Sequence, residues 1–325
     1  MSAPPLVSIL VAAYNAEPWL AETLASAVGQ TYPSVEVVVV DDGSTDGTLA
    51  VARRFEGDRV RVIRQNNRGA CAARNRAFAE SEGAYVQFLD ADDVLHPEKV
   101  ERQVRRLEAE PEGTVAVGPW VRFSGDVSDA DHGRQAPDFR DFEPATDFLV
   151  QSWEGRGTMP TVVWLVPRAV AEAAGPWHEG LLRNQDGEYY ARVVAHSPKI
   201  AFCEGAWGYY RSSGLGSISN RRNEAAFRSL YEATVLSERA LLERRSDPAA
   251  RRACSGLWQQ FLFTVYPEVP DLVRQAEARV DELGGMYRKP GVSRPFRLVR
   301  DVVGWKPALR LQRAYDRLRR PAAQP

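Results

Sequence analysis

The chain has 325 residues, a formal net charge of −1 and a hydrophobic content of 44%. This length is long for one domain and short for three, and the near-neutral charge gives no general reason to expect nucleic acid as a partner. No stretch approaches the roughly 18 apolar residues of a membrane span, and the first residues lack the pattern of a signal peptide. Three dispersed cysteines, Cys71, Cys203 and Cys254, suit a reducing compartment, so we expect a cytoplasmic protein.

The first hundred residues alternate short apolar runs with segments of helical spacing. Strands are predicted at 7–13, 35–40, 60–63 and 84–89, and helices at 18–28, 49–55, 70–79 and 97–110. Alternation of this kind with buried strands implies a parallel sheet covered on both faces. Ligands bind such sheets at the carboxyl ends of the strands, which is where Tyr14, Asp42 and Asp90 fall.

The rest of the chain divides into three stretches. Residues 124–145 are polar and acidic and are predicted to form a loop, and short strands and helices alternate again over 162–211. After Asn223 the pattern becomes helical, rich in arginine and punctuated by proline. We therefore predict an α/β domain over residues 1–222 and a helical C-terminal region over residues 223–325.

Three carboxylates, Asp90, Asp92 and Asp93, directly follow the fourth predicted strand. Acids placed together repel one another, and a cation commonly compensates such a cluster. Mg²⁺ and Mn²⁺ prefer oxygen ligands and often share them with substrate phosphates, so the first hypothesis is a metal–phosphate site. The alternative is N-capping of the helix near Pro97, for which one acid would suffice.

Two earlier strand ends also carry polar side chains. Tyr14 could stack on a flat ring, or pack at the rim against the next helix. Asp42 could accept hydrogen bonds from a base edge or a ribose. The alternative for its segment is a capped turn formed by Ser44–Asp46 between two glycines.

Two helix starts complete the set of candidates. Gly69 opens a helix in which Arg74, one turn further on, could bind a diphosphate; the alternative is a solvated arginine on an ordinary helix. Asp186 begins a short helix whose inward face is marked by Tyr189 and Val193, and it is either a cap or a general base. Neither the dinucleotide nor the P-loop glycine fingerprint is present.

Taken in order, these motifs resemble the inverting family-2 glycosyltransferases of the GT-A fold. The resemblance covers roughly residues 6–220 and rests on five segments: Val7–Asn15, Gln30–Thr48, Gly69–Asn75, Asp90–Asp93 and Gln185–Glu188. The sequence departs from the family pattern where a His often follows a Tyr-Arg pair, since Tyr210-Arg211 is followed by none over 212–217, and at Arg76-Ala77, where the family often has a small residue and then glycine.

The resemblance implies roles for individual residues. Tyr14 and Asp42 would hold the nucleotide base, Arg74 would lie by the phosphates, and Asp90 would lie close to the ribose and sugar. Asp92 would ligate a Mg²⁺ or Mn²⁺ ion that bridges the diphosphate, within the acidic motif called DXD, and Asp186 would be the catalytic base. The remaining positions assigned to nucleotide binding are Ala13, Asn15 and Ala91.

The implied protein is a metal-dependent inverting glycosyltransferase that moves a sugar from a nucleoside-diphosphate sugar to a saccharide or lipid-linked acceptor. The implied setting is bacterial cell-surface polysaccharide or glycoconjugate synthesis. One alternative is a catalytically silent sugar-nucleotide-binding protein. The other is a phosphatase with Asp90 as nucleophile, although such enzymes usually carry this motif on the first strand.

The last helical segment admits two interpretations. Phe296, Val299 and Val303, and then Leu311, Tyr315 and Leu318, follow helical spacing among many arginines. A basic amphipathic segment of this kind can lie on an anionic membrane, which predicts peripheral attachment at the inner face of the membrane. The preferred interpretation is an ordinary pair of surface helices docked on the catalytic domain.

Overall fold

The computed structural model describes residues 3–133, 135–212 and 222–319. Its strands are β1 (Val7–Ala13), β2 (Val35–Asp41), β3 (Val60–Arg64), β4 (Tyr85–Asp90), β5 (Val94–Leu95), β6 (Val115–Val117), β7 (Trp120–Phe123), β8 (Trp164–Pro167), β9 (Ile200–Phe202) and β10 (Gly208–Arg211). Its helices are α1 (Leu20–Val28), α2 (Thr48–Arg53), α3 (Ala70–Ala79), α4 (Lys99–Leu107), α5 (Thr146–Trp153), α6 (Arg168–Ala174), α7 (Gln185–Ala195), α8 (Glu224–Leu242), α9 (Pro248–Val265), α10 (Pro270–Glu282), α11 (Arg297–Val302) and α12 (Trp305–Arg319).

Seven strands form a central sheet in the order β3-β2-β1-β4-β8-β6-β9. In this sheet β1, β2, β3 and β4 are parallel, as is the pair β6–β9, whereas β8 runs antiparallel to both of its neighbours. The prediction of an α/β fold with a mainly parallel sheet is therefore confirmed. A second, smaller sheet has the order β5-β10-β7. Its strand β5 follows β4 closely in the chain, so the loop between β4 and β5 connects the two sheets.

The central strands are buried because their sequences are almost entirely apolar and β-branched. Val37–Val40 of β2 are each at most 1% exposed, as expected for strands covered on both faces. The strands and helices predicted to begin in the first hundred residues agree with the observed ones to within three residues. The helix predicted from Pro97 begins instead at Lys99, because β5 and a turn occupy the residues before it.

The C-terminal helices pack directly on the α/β part of the protein. Asn223 caps α8 by accepting a hydrogen bond from the Ala226 amide at 2.8 Å. Ser229 on α8 accepts a hydrogen bond from the Leu182 amide, just before α7, and one buried apolar cluster extends from β1 to Leu309 on α12. The helical region after 223 thus shares a core with the preceding residues, and a division into domains at 222 stays a prediction.

Candidate active site

The chain reverses its direction of strand addition at β1, which places two acidic strand ends side by side. β2 pairs with one edge of β1 and β4 with the other, with Ala13 opposite Asp41 and Ala12 opposite Asp90. Such a reversal leaves a crevice at the carboxyl ends of the strands, where open α/β sheets bind ligands. Tyr14, Asp42 and Asp90, which the sequence places at strand ends, therefore lie at the same carboxyl end of the sheet.

The acidic cluster after β4 does not cap a helix. The next helix, α4, begins at Lys99, and its N-cap residue Glu98 makes no side-chain capping bond. Instead, Asp93 Oδ1 accepts a hydrogen bond from the Arg211 amide at 2.9 Å, and Asp93 Oδ2 is buried without a hydrogen-bond partner. Burial, followed by the charges of Asp90 and Asp92, raises the pKa of Asp93 well above its ordinary value.

Arg211 connects this acidic loop to the rest of the protein, and sequence reasoning did not single it out. Its Nε donates to the Asp92 carbonyl at 2.8 Å and its Nη1 to the Gly125 carbonyl at 3.1 Å. Its Nη2 donates to a Glu22 carboxylate oxygen on α1. The side chain is only 7% exposed, so Arg211 positions the loop. Its place in the Tyr210-Arg211 pair, at the end of a short strand, gives no sequence signal for such contacts.

Arg74 and Asp90, which are 16 residues apart in the chain, form the central ion pair of the site. Arg74 Nη2 donates to Asp90 Oδ1 at 2.7 Å, and its Nη1 donates to Gln185 Oε1 on α7 at 3.3 Å. The guanidinium lies 4.4 Å from the ring centre of Trp177. Burial lowers the pKa of Arg74, but the Asp90 charge and hydrogen bond outweigh it and the net shift is upward. The solvated arginine considered as an alternative is not observed.

Asp186 lies in the first turn of α7, beside this ion pair. It does not act as the N-cap, because that position belongs to Asn184, which has a left-handed backbone with φ of 57°. Asp186 is open to solvent, but surrounding protein groups remove part of its hydration. This desolvation is the main reason that its pKa is raised; the Asp90 charge adds to the effect, while the Gly187 amide and Arg74 oppose it.

A second group that sequence reasoning missed fixes the segment before α7. Asn75 Nδ2 donates to the Trp177 carbonyl at 2.9 Å, and the Trp177 amide donates to Asn75 Oδ1 at 2.8 Å. The Trp177 ring stacks on Tyr189 at 4.1 Å. In the sequence, Asn75 is recognisable only as the last residue of the Gly69–Asn75 motif. Its pair of hydrogen bonds with Trp177, 102 positions away, has no local sequence signature.

The predicted base-binding residue Asp42 is buried and fully engaged with the loop before α3. Its Oδ1 accepts from Gln65 Nε2 at 2.8 Å and from the Arg68 amide at 2.9 Å, and its Oδ2 accepts from the Gly69 amide at 2.7 Å. The main-chain amide of Asp42 donates to the Ala13 carbonyl. Asp42 thus shapes the loop between β3 and α3, and its contact with a base stays a prediction.

The residues after β1 are held to the loop after β2. Asn15 has a left-handed backbone with φ of 48°, its amide donates to Ser44 Oγ at 3.0 Å, and its Oδ1 accepts from the Thr45 amide at 2.9 Å. Tyr14 is 51% exposed, and its contact with a nucleotide base stays a prediction. A large aromatic ring presented to solvent at a strand end remains available for stacking.

The acidic loop has the oxygen donors that a divalent cation requires. The charges of Asp90 and Asp92 lie close enough together to raise the pKa of Asp93, and a divalent cation would compensate charge gathered in this way. In the described part of the chain, no three or more His, Cys, Asp or Glu residues are grouped to hold a metal by themselves. Mg²⁺ is commonly held by only one or two carboxylates together with substrate phosphates, and Asp92 with Asp90 fits that arrangement. The loop in which the family often has a His, 213–217, lies outside the described residues.

The sheet order and the acidic strand ends define an α/β protein of the GT-A fold. Residues 8–163 match the sequence model of glycosyl transferase family 2. It is 39% identical over 106 residues to the Escherichia coli UDP-Glc:alpha-D-GlcNAc-diphosphoundecaprenol beta-1,3-glucosyltransferase WfaP, a match that covers 32% of this chain and 42% of WfaP. The chain spans about two fifths of the length of its first curated relatives.

Two solved structures show the same fold. S. aureus TarS 1-349 in complex with UDP-GlcNAc superposes with a TM-score of 0.61 and 18% identity, over 89% of this chain and 95% of that one. The mannosyltransferase PcManGT from Pyrobaculum calidifontis, in complex with GDP-Man and Mn²⁺, gives a TM-score of 0.54 and 16% identity, over 97% of this chain and 88% of that one. In the residues described for this chain, every helix is too short or too polar to cross a bilayer.

Proposed function

We propose that this protein is a metal-dependent, inverting glycosyltransferase that transfers a sugar from a nucleoside-diphosphate sugar to an acceptor hydroxyl. The observation that carries the proposal is the cluster formed by Arg74, Asp90, Gln185 and Asp186, which brings α3, the end of β4 and the start of α7 together. The match of residues 8–163 to the family-2 model supports the reaction class, and the solved structures with UDP-GlcNAc and with GDP-Man support a nucleotide-sugar donor.

The proposed roles follow from what each group offers chemically. A diphosphate leaving group gains negative charge, which the Arg74 guanidinium can stabilise through paired N–H donors. Asp92, with Asp90 beside it, would hold a Mg²⁺ or Mn²⁺ ion, whose chemistry is to neutralise the same developing charge. PcManGT, which has this fold, contains Mn²⁺.

Asp186 is the proposed general base. It is open to solvent, so an acceptor hydroxyl can approach it, and it lies near enough to Asp90 and Arg74 to respond to both charges. Its raised pKa lies closer to neutral pH than that of an ordinary Asp, which makes the carboxylate a stronger general base. A single displacement with one base inverts the anomeric carbon, so the second carboxylic acid of a glycosidase pair is not required.

The nucleotide base of the donor would be bound between Tyr14 and the segment that contains Ala13, Asn15 and Asp42. Ala91 would lie on the opposite side of the nucleotide, near Asp90. The proposed setting is bacterial cell-surface polysaccharide or glycoconjugate synthesis, with a saccharide or lipid-linked acceptor. The name of the relative WfaP, which includes a diphosphoundecaprenol acceptor, supports a lipid-linked one. Cytoplasmic location with peripheral contact at the membrane belongs to the same proposal.

The test is a thermal-shift screen of nucleoside diphosphates and their sugars, with and without Mn²⁺, followed by product analysis. A ligand that binds only the native state raises the melting temperature by mass action, so we expect a donor-dependent rise that Mn²⁺ increases. Release of nucleoside diphosphate in the presence of acceptor would support transfer. Release of inorganic phosphate would support the phosphatase, and binding without turnover across many acceptors would support the silent binding protein.

A further inference from the structure

The last two helices expose far more apolar surface than the rest of the protein. Ten large hydrophobic side chains are exposed in the described part of the chain, and six of them lie between Leu298 and Leu318. Three are almost fully open, with exposed fractions of 74% for Leu298, 75% for Val302 and 87% for Leu318. A concentration of exposed apolar side chains of this kind is typical of an interaction surface. We name it the α11–α12 surface, which consists of Leu298, Val302, Val303, Leu311, Tyr315 and Leu318.

This exposure does not arise from undocked helices. Trp305 packs edge-on against Phe263 of α9 and against Tyr266, which follows that helix, with ring centres 5.4 Å and 5.1 Å away. Ala308 and Leu309 are buried in the core. The sequence grouped Phe296 and Val299 with Val303 on one apolar face, but the structure divides them, since Phe296 and Val299 pack against the core. The helices are therefore anchored by one side and present a second apolar side outward.

Positive charge surrounds this surface. Residues 294–319 contain eight Arg or Lys residues and two Asp residues, whereas the whole chain has a net charge of −1. Arg300 and Arg313 have structural roles, because they donate to the main-chain carbonyls of Pro290 and of Phe263 and Thr264. Arg294 and Arg297 are exposed and pair with no acid among the residues that the structure describes.

We propose that the α11–α12 surface docks on an anionic lipid bilayer, with Leu298, Val302 and Leu318 inserted at the interface and Arg294 and Arg297 on the lipid headgroups. Exposed apolar side chains bordered by cations are the features that hold a helix in the plane of a membrane interface. A second copy of the chain fits less well, because apposed copies would bring like charges together. The inference deepens the proposed membrane contact and rests on it, but it does not depend on the transferase chemistry.

The test is sedimentation of the full chain with phosphatidylcholine vesicles that contain or lack phosphatidylglycerol. We expect binding to the anionic vesicles that weakens as salt rises. The variant Leu298→Ser/Val302→Ser/Leu318→Ser should bind at least tenfold more weakly, because it removes apolar groups that the membrane interface would bury. Arg294→Gln/Arg297→Gln should lose roughly thirtyfold at low salt, from ~1 kcal/mol for each cation near an anionic surface.

Matched variants elsewhere separate this surface from general effects. Val235→Ser removes an exposed valine of α8, and Arg53→Gln/Arg54→Gln removes two exposed arginines near α2; we expect both to bind vesicles as the parent does. The replaced side chains of the α11–α12 surface are largely exposed, so the melting temperatures of these variants should stay close to that of the parent. Equal vesicle binding by the surface variants and the parent would overturn the inference. It would also be overturned if the parent formed a dimer without binding vesicles and the triple variant were a monomer. Nucleotide-sugar binding, measured separately, tests the proposed transferase independently of either result.

Discussion

Replacement of Arg74 by glutamine tests the central ion pair of the site most directly. The Arg74 Nη2–Asp90 Oδ1 distance is 2.7 Å, and the two side chains are only 11% and 31% exposed, so solvent screens the pair weakly. A hydrogen bond to a charged group contributes about 1.5–3 kcal/mol, and the stacking of the guanidinium on Trp177 adds about 0.5–1 kcal/mol. We expect Arg74→Gln to lower the free energy of unfolding by roughly 2–4 kcal/mol.

The same helix supplies a matched control. Arg76 pairs with Glu80 at 2.8 Å, but their side chains are 52% and 33% exposed. An exposed pair of this kind contributes less than about 0.5 kcal/mol, so Arg76→Gln should be nearly neutral. The two substitutions change the same residue type in one helix and share the same loss of charge, and they differ in what the guanidinium touches.

Urea unfolding at pH 7, monitored by far-UV circular dichroism, measures both effects. The difference in free energy of unfolding between variant and parent can be compared only if the denaturant slope stays unchanged, since a change in slope would report a different unfolded or native ensemble. The reasoning would be refuted if Arg74→Gln and Arg76→Gln lowered stability by the same amount. Arg74→Gln should also weaken nucleotide-sugar binding while Arg76→Gln leaves it unchanged, because Arg74 is the proposed phosphate ligand.

Three further predictions concern single carboxylates and one buried lysine. Asp186→Asn should reduce turnover about 10²–10⁴-fold with donor affinity nearly unchanged, and in the parent enzyme the rate should fall on acidification at a pH above the ordinary Asp pKa, since the pKa of Asp186 is raised; loss of donor binding would reassign the residue. Asp92→Ala should weaken Mn²⁺ and donor binding together in a titration, and unchanged affinities would exclude its role as a ligand. Burial lowers the pKa of Lys99 to about 7, so between about pH 7 and pH 10 the unfolded chain holds more protons and stability should rise with pH. In urea unfolding, the stability of the parent relative to Lys99→Met should therefore increase by about 2 kcal/mol from pH 7 to pH 9, and a constant difference would contradict the assigned burial effect.

Much of the fold was predictable because local sequence and tertiary environment agree. The run Val35–Val40 is apolar and β-branched, and only a strand covered on both faces satisfies it. The antiparallel direction of β8 was not predictable, because Trp164–Pro167 is a four-residue strand with no pairing signal of its own. Strand direction in that part of the sheet depends on which edge is free when the chain returns, and this is a tertiary property.

The candidate site divides in the same way. Asp90, Asp92 and Asp186 stand out in the sequence, because unneutralised acids next to buried strands or helix starts need an explanation. Arg211 and Trp177 do not stand out, because their importance depends on partners more than 80 positions away, Glu22 and Gly125 for Arg211 and Asn75 for Trp177. Residues that position others are recognised from contacts, whereas residues that carry charge can be recognised from composition.

The contacts also explain why the loop after β4 needs three acids. Asp93 is buried and spends one oxygen on the Arg211 amide, so its position is fixed and its raised pKa makes it a poor permanent charge. Asp90 is held from the other side by Arg74. Asp92 lies between these two, with its own carbonyl bound by the Arg211 side chain. Anchoring both neighbours and the Asp92 carbonyl fixes the backbone of Asp92, which is the arrangement required of the side chain that we propose to meet a cation and a diphosphate at a set position.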